Sequence, residues 1–288
     1  MDRRQFLKGS AVAGAALGSS INIGYSAIGL ETKAVSNRRT LVYLFLRGGI
    51  DGLNLVIPRT GTNRTEYQLK RPNIQVPVAS LHNLNGDFGL HPSATGLKNM
   101  YDAGDLAIVH AVGMPEGLES RSHFDSQTMY ELGTPGELDT PTGWLARHIN
   151  MSPTVQPGAT MPSFASGSAP PTSLLGDFNV MTMDDSSSFH PNYGGYGDET
   201  LFTLGQMYSG NSTFDYSVQN GLDTINLIEQ LELSVPDTYP NTSLADDLGL
   251  IAALIKQNVG LQVATVDFGG WDTHNNQGDG GGGNYATR

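Results

Sequence analysis

The stretch Asn241-Thr-Ser-Leu-Ala-Asp-Asp-Leu-Gly-Leu-Ile-Ala-Ala-Leu-Ile-Lys-Gln257, followed past Gly260 by Leu261-Gln-Val-Ala-Thr-Val-Asp-Phe268, reads as a capped helix feeding a buried strand. Hydroxyl and amide side chains open the helix. Asp246 and Asp247 complement the positive end of its dipole, Lys256 complements the negative end, and Gly260 stops it. The run after it is short, continuous and β-branched, as strands buried on both faces of a parallel sheet are. The same order occurs upstream. Residues His91–Asp102 place Pro92 near a helix start, with Leu97, Met100 and Tyr101 at helical spacing and Gly104 as the stop, and Leu106-Ala-Ile-Val-His-Ala-Val112 follows as a second strand. A third such run, Thr40-Leu-Val-Tyr-Leu-Phe-Leu46, comes earlier. Helix then strand, twice, predicts crossover units and hence an α/β fold with a mostly parallel central sheet and helices on both faces.

Residues 35–288 are expected to form one large domain, since a chain of this length with 38% hydrophobic residues can bury a full α/β core. Between about 150 and 200, Pro, Gly, Ser, Thr and Asp dominate and apolar residues are sparse. Leu174-Leu175 and Phe178-Asn-Val-Met181 are exceptions, and the segment reads as loops with one short strand. Spaced apolar residues from Leu201 to Leu233 predict one or two helices. After His274 the chain runs through Asn275-Asn-Gln-Gly-Asp and four glycines to Arg288, with no pattern to close the domain. The expectation is an open tail on a truncated reading frame.

At the amino terminus Arg3 and Arg4 stand ahead of Phe6-Leu-Lys8, and an uncharged, Gly-, Ala- and Ser-rich stretch runs to about Leu30. That order is a twin-arginine export signal. The signal is assigned to residues 1–34, with cleavage between about 25 and 35, and its small and polar residues suit removal rather than anchoring. The mature protein is then expected in the periplasm or outside the cell, touching membrane only through the signal. The twin-arginine route carries folded cargo, which suits a protein loaded with metal before export. The chain has no cysteine, so a metal must use histidine and carboxylate, and neither a disulfide nor a thiol nucleophile is possible. Without residues 1–30 the chain keeps 13 basic and 27 acidic side chains, a net charge of −14, which argues against nucleic acid as a partner.

Ligands in open α/β sheets gather at the carboxyl ends of strands, and here all three ends are polar and glycine-rich. Arg47-Gly-Gly-Ile-Asp-Gly-Leu-Asn54 offers a tight turn, the Asp51 carboxylate and, in Arg47, a cation able to hold an anion; a structural turn with a capping aspartate fits equally. Ser120-Arg-Ser-His-Phe-Asp125 reads as a loop entering a helix, where free N–H donors favour an oxyanion, or else as a capping serine in a charged turn. Trp271-Asp-Thr-His274 puts Asp272 and His274 two residues apart. That spacing suits shared binding of Zn or Mn, binding of Ca if the histidine does not ligate it, or a carboxylate–imidazole hydrogen bond within the turn. His82, His91, His110, His148 and His190 read as structural or solvated.

Taken together, Leu44–Asn54, Gly89-Leu-His-Pro92, Val109-His-Ala-Val-Gly113, Ser120–Gln127, Gly143-Trp-Leu145 and Gly269-Gly-Trp-Asp-Thr-His274 resemble the family called domain of unknown function 1501, from about Arg39 to the carboxyl terminus. The resemblance implies an alkaline phosphatase-like fold from the superfamily that includes the sulfatases, incomplete here at its carboxyl end. It implies a divalent metal held by Asp51, Asp272 and His274, with His123 a further ligand. Ser122 takes the nucleophile position, Ser120 is second choice, and Arg121 belongs to the same catalytic cluster. A later Asp-His pair and a final metal histidine, expected of the superfamily, are not in this sequence, so the fragment itself is expected to be inactive. There is also no Cys/Ser-x-Pro-x-Arg segment for a formylglycine, which disfavours classical sulfatase activity. The implied activity is hydrolysis of phosphate or sulfate esters, with a small molecule or glycan as substrate. A non-catalytic cell-envelope binding or assembly protein on the same scaffold is the alternative.

Overall fold

A computed structural model describes residues 39–151, 161–184, 196–230 and 239–288. The export signal, His190 and parts of the 150–200 segment lie outside the described residues. In chain order the elements are β1 (Leu41–Leu46), α1 (Gly52–Leu55), β2 (Val56–Pro58), α2 (Gly61–Lys70), β3 (His82–Asn83), β4 (Phe88–Leu90), α3 (Thr95–Ala103) and α4 (His123–Leu132). There follow α5 (Trp144–Met151), β5 (Ser163–Ser166), β6 (Val180–Met183), α6 (Gly197–Met207), α7 (Thr213–Gln230), α8 (Ser243–Lys256) and β7 (Val263–Phe268). They divide into two compact units. The first takes the described residues up to Phe45 together with Thr128–Asp267, and the second takes Leu46–Gln127 with Phe268–Arg288.

The first unit is built on a four-stranded parallel sheet in the order β1-β7-β5-β6. Alternate residues point to opposite faces, and each face is covered by helix. Phe164, Met181, Met183, Ala264 and Val266 pack with Ile225 and Ile228 of α7 and Leu250, Ile251 and Leu254 of α8. Ala165, Val180 and Val263 pack on the other face with Leu145 and Ile149 of α5. The helix expected over Asn241–Gln257 is α8, and Thr242 caps it by accepting the Ala245 N–H at 3.3 Å. The strand expected after it is β7. Residues 201–230 form two helices, as their spacing predicted.

Two expectations fail. The segment read as loops with one short strand supplies both β5 and β6, and β5 is interior to the sheet. Its strands are four residues long and carry serine and threonine, which is why apolar patterning missed them. Ser163 sits fully buried in the ladder because its hydroxyl donates to the Asp177 carboxylate at 2.5 Å. Conversely, Leu106–Val112 is irregular rather than a central strand, with Val109 77% and Val112 66% exposed. An apolar β-branched run forms a strand only where an open sheet edge accepts it, and this run lies in the second unit, whose sheet has three short antiparallel strands.

That second sheet has the order β2-β4-β3, with Ile57 opposite Gly89. Ile57, Tyr67 and Val76 form a small core beside a polar network. The Tyr67 hydroxyl donates to Asn54 Oδ1 at 2.7 Å and accepts the Val76 N–H at 2.9 Å, while Asn54 Nδ2 donates to the Ile74 carbonyl. The buried Arg64 guanidinium donates to the Val76 carbonyl and lies 5.1 Å from the Tyr67 ring centre. The glycine-rich tail, expected to hang open, instead folds onto this unit. Tyr285 is buried between His91 and Trp271, and its hydroxyl donates to the Asp51 carbonyl at 3.0 Å.

Phe164 has no exposed surface and packs in the larger core, so Phe164→Ala is expected to destabilise the first unit by about 3–5 kcal/mol. Phe202→Ala, at a side chain 70% exposed, should stay within about 0.5 kcal/mol. Urea unfolding of the two variants beside the parent measures both.

Candidate functional site

The three glycine-rich segments singled out from sequence meet within the second unit. Their meeting is fixed first by backbone. The Arg47 N–H donates to the Phe268 carbonyl at 2.9 Å, and the Trp271 N–H donates to the Arg47 carbonyl at 3.1 Å. Gly48 then turns with φ +112°, and a Cβ placed there would lie 2.5 Å from the Asp272 nitrogen. Gly49, at φ +76°, would bring a Cβ to 3.3 Å from the Cβ of His123. Glycine is therefore required at position 48 by dihedral angle and by space, and the Gly48-Gly49 backbone is the floor against which Asp272 and His123 rest.

On that floor the Asp272 carboxylate is flanked by two imidazoles. His274 Nε2 is 2.7 Å from Oδ1, and His123 Nε2 is 3.9 Å from Oδ2. His123 is the most enclosed of the three side chains and His274 the most exposed. The close carboxylate–imidazole contact is the hydrogen bond that the sequence left open as an alternative to metal binding. One carboxylate and two imidazoles are residue types that a divalent metal accepts, although the three are not arranged as a metal site here.

Asp51 does not join them. Its Oδ2 pairs with Arg71 and accepts Gln277 Nε2–H at 2.8 Å, and Gln277 Oε1 accepts the Thr273 hydroxyl at 2.8 Å. Asp51 is thus linked to the Asp272–His274 turn through a glutamine rather than through a shared ligand. Among the described residues, no group of three or more histidine, aspartate or glutamate side chains is arranged to hold a metal ion. Of the four expected metal ligands, three are neighbours and the fourth is committed to a cation. Arg71 and Gln277 carried no sequence signal, one being a lone arginine before Pro72 and the other lying in the polar tail.

The serines stand where the helix begins. Ser122 precedes α4, its Oγ accepts the Asp125 N–H at 3.3 Å, and the Ser120 hydroxyl accepts the Ser122 N–H at 3.0 Å. Ser122 acts as the helix cap, the second of the two readings the sequence allowed, and Ser120 holds the turn that leads into it. Arg121 is exposed, and Arg47 donates to Gln127 Oε1 at 3.4 Å. Trp271, beside Asp272, is buried, and its indole N–H has no hydrogen-bond partner among the described residues.

The histidines read as structural behave so where described. His91 is buried and accepts the Ser93 N–H on Nδ1. Burial, and to a lesser degree the nearby His82, holds its pKa below the ordinary value. His110 stacks on Phe88 with ring centres 4.3 Å apart.

The first 19 residues match the family model of the twin-arginine translocation pathway signal sequence. No curated protein matches the chain, and no solved structure matches it. The protein is exported by the twin-arginine pathway to the periplasm or the extracellular space.

Gly48→Ala is expected to destabilise the second unit by about 1–3 kcal/mol, through strain at positive φ and collision with the Asp272 backbone. Gly52→Ala, with nothing within 4 Å of the new methyl, should be tolerated, and urea midpoints decide between the two outcomes.

His91 supplies a pH prediction. Because its folded pKa is lowered, both states hold a neutral imidazole above about pH 6.5, and the unfolded chain is protonated first as pH falls. Stability should therefore fall below about pH 6.5 and level off once the folded state also takes the proton. His91→Asn keeps an acceptor for the Ser93 N–H and should remove that part of the slope when unfolding is followed between about pH 8 and pH 5.

Proposed function

We propose that this exported protein is, in its full-length form, a metal-dependent hydrolase of phosphate or sulfate esters, a member of the family it resembles, on an alkaline phosphatase-like scaffold. The observation that carries the reading is the Asp272 carboxylate held between His123 and His274 on the Gly48-Gly49 floor, next in sequence to Ser122. Asp272, His274 and His123 are the residues that would hold a Zn or Mn ion. When bound, that ion supplies positive charge to the ester oxygens. Ser122 sits at the amino end of a ten-residue helix, and the Asp125 N–H directed at its Oγ favours negative charge there. In the proposed reaction the Ser122 hydroxyl gives its proton to water and its oxygen bonds to phosphorus or sulfur in line, as the ester oxygen departs with its electron pair and takes a proton from water; a second water then displaces the Ser122 oxygen and releases the inorganic acid. Arg47 and Arg121 are the cations assigned to the anionic group.

The test uses the mature exported protein with each metal and a panel of aryl phosphate monoesters, diesters and sulfates. Metal should be present at about one per chain and be lost in Asp272→Ala, and turnover should fall at least ~100-fold in Ser122→Ala and Asp272→Ala. Unchanged metal content and unchanged turnover in both variants overturn the proposal.

The engagement of Asp51 with Arg71 and Gln277 favours a second reading, a non-catalytic cell-envelope binding or assembly protein. That reading expects a protein purified without metal, inert across the ester panel, and recovered with a partner.

A further inference from the structure

The loop that carries Asp51 also lines a cavity of about 640 Å³ within the second unit, in the size range of small-molecule sites. Its walls include Leu53, Leu90, Leu97 and Ile108. The ionised groups on it are Asp51 and Arg71, which are paired with each other, so the cavity is apolar with one neutralised polar end. His110, which also lines it, has its ring stacked on Phe88. Residues 106–112 form one wall without belonging to a helix or strand, and they leave Val109 and Val112 largely in water. Apolar surface kept open in this way is favourable only when something apolar covers it.

The polar end says what that is. Asp51 connects through Gln277 to Thr273, the residue between Asp272 and His274, so the loop that floors the carboxylate–imidazole cluster continues directly into the cavity wall. We infer that the cavity receives the organic part of an ester whose anionic group lies at Asp272 and His274. The substrate class is a phosphate or sulfate ester of a hydrophobic alcohol, alkyl or aryl, rather than of a sugar. The assignment of the anionic group rests on the hydrolase reading; the apolar preference of the cavity does not.

Titration calorimetry of the mature exported protein, loaded with Zn beforehand, with methyl phosphate, octyl phosphate and 1-octanol tests it, with the amphiphile kept below its micelle-forming concentration. Each methylene withdrawn from water contributes about a fourfold gain, so octyl phosphate should bind at least ~30-fold more tightly than methyl phosphate, and 1-octanol should bind alone. Ala107→Trp, on the irregular wall, should fill the space and abolish the octyl preference while leaving methyl phosphate binding unchanged. Asp272→Asn should weaken both phosphates and leave 1-octanol unaffected. Equal affinity for methyl and octyl phosphate in the unaltered protein overturns the inference, as does 1-octanol binding that survives Ala107→Trp. Dimerisation that competes with 1-octanol would also overturn it, by assigning the cavity to a second copy of the chain. If 1-octanol binds in the cavity but Asp272→Asn changes neither phosphate and no ester turns over, the hydrolase reading fails and the apolar site stands.

Discussion

Arg47 holds Phe268 with its N–H and Trp271 with its carbonyl, and this pair of backbone hydrogen bonds carries the loop geometry of the candidate site. Two segments more than 200 residues apart in sequence are brought to main-chain contact, which only a residue without a side chain can then follow. Gly48 satisfies that condition, and the Asp272 backbone lies where its Cβ would be. The position of the Asp272 backbone is therefore set by main-chain geometry, and the two imidazoles then meet a carboxylate whose anchor point is already fixed.

The α/β class, the helix before β7, the helix pair around 201–230 and the juxtaposition of the three glycine-rich loops were legible in the sequence, because each has a local signature. Thr242, Asp246 and Lys256 mark α8 at both ends, and the Gly48-Gly49 pair marks a place where backbone approaches backbone. What escaped was decided by tertiary context. Ser163 is as buried as any leucine, and nothing local reveals that Asp177, fourteen residues on, receives its hydroxyl proton. Leu106–Val112 has the composition of a central strand and no strand beside it. Asp51 was expected on a metal through the family resemblance; its partner Arg71, just past α2, is a matter of fold and not of motif.

The balance of charge at the site also separates its two halves. Asp51 is neutralised by Arg71 inside the fold, so it neither repels nor recruits. Asp272 is half exposed and flanked by two imidazoles, so its charge faces solvent and histidine rather than a fixed cation.

The sheet order has a consequence for the timing of biosynthesis. β1 lies at the start of the described chain, and its neighbour β7 begins at Val263, so Thr40 and Leu41 wait for the far end of the sheet to be made before Leu261 and Gln262 can bond them. At ordinary elongation rates of roughly 5–20 residues per second, that interval is on the order of 10–40 s. Until it ends, the first strand has no neighbour and the sheet has no centre. A route that threads a chain through the membrane as it emerges would deliver the halves of this sheet separately. A route that waits for a folded cargo delivers the sheet closed.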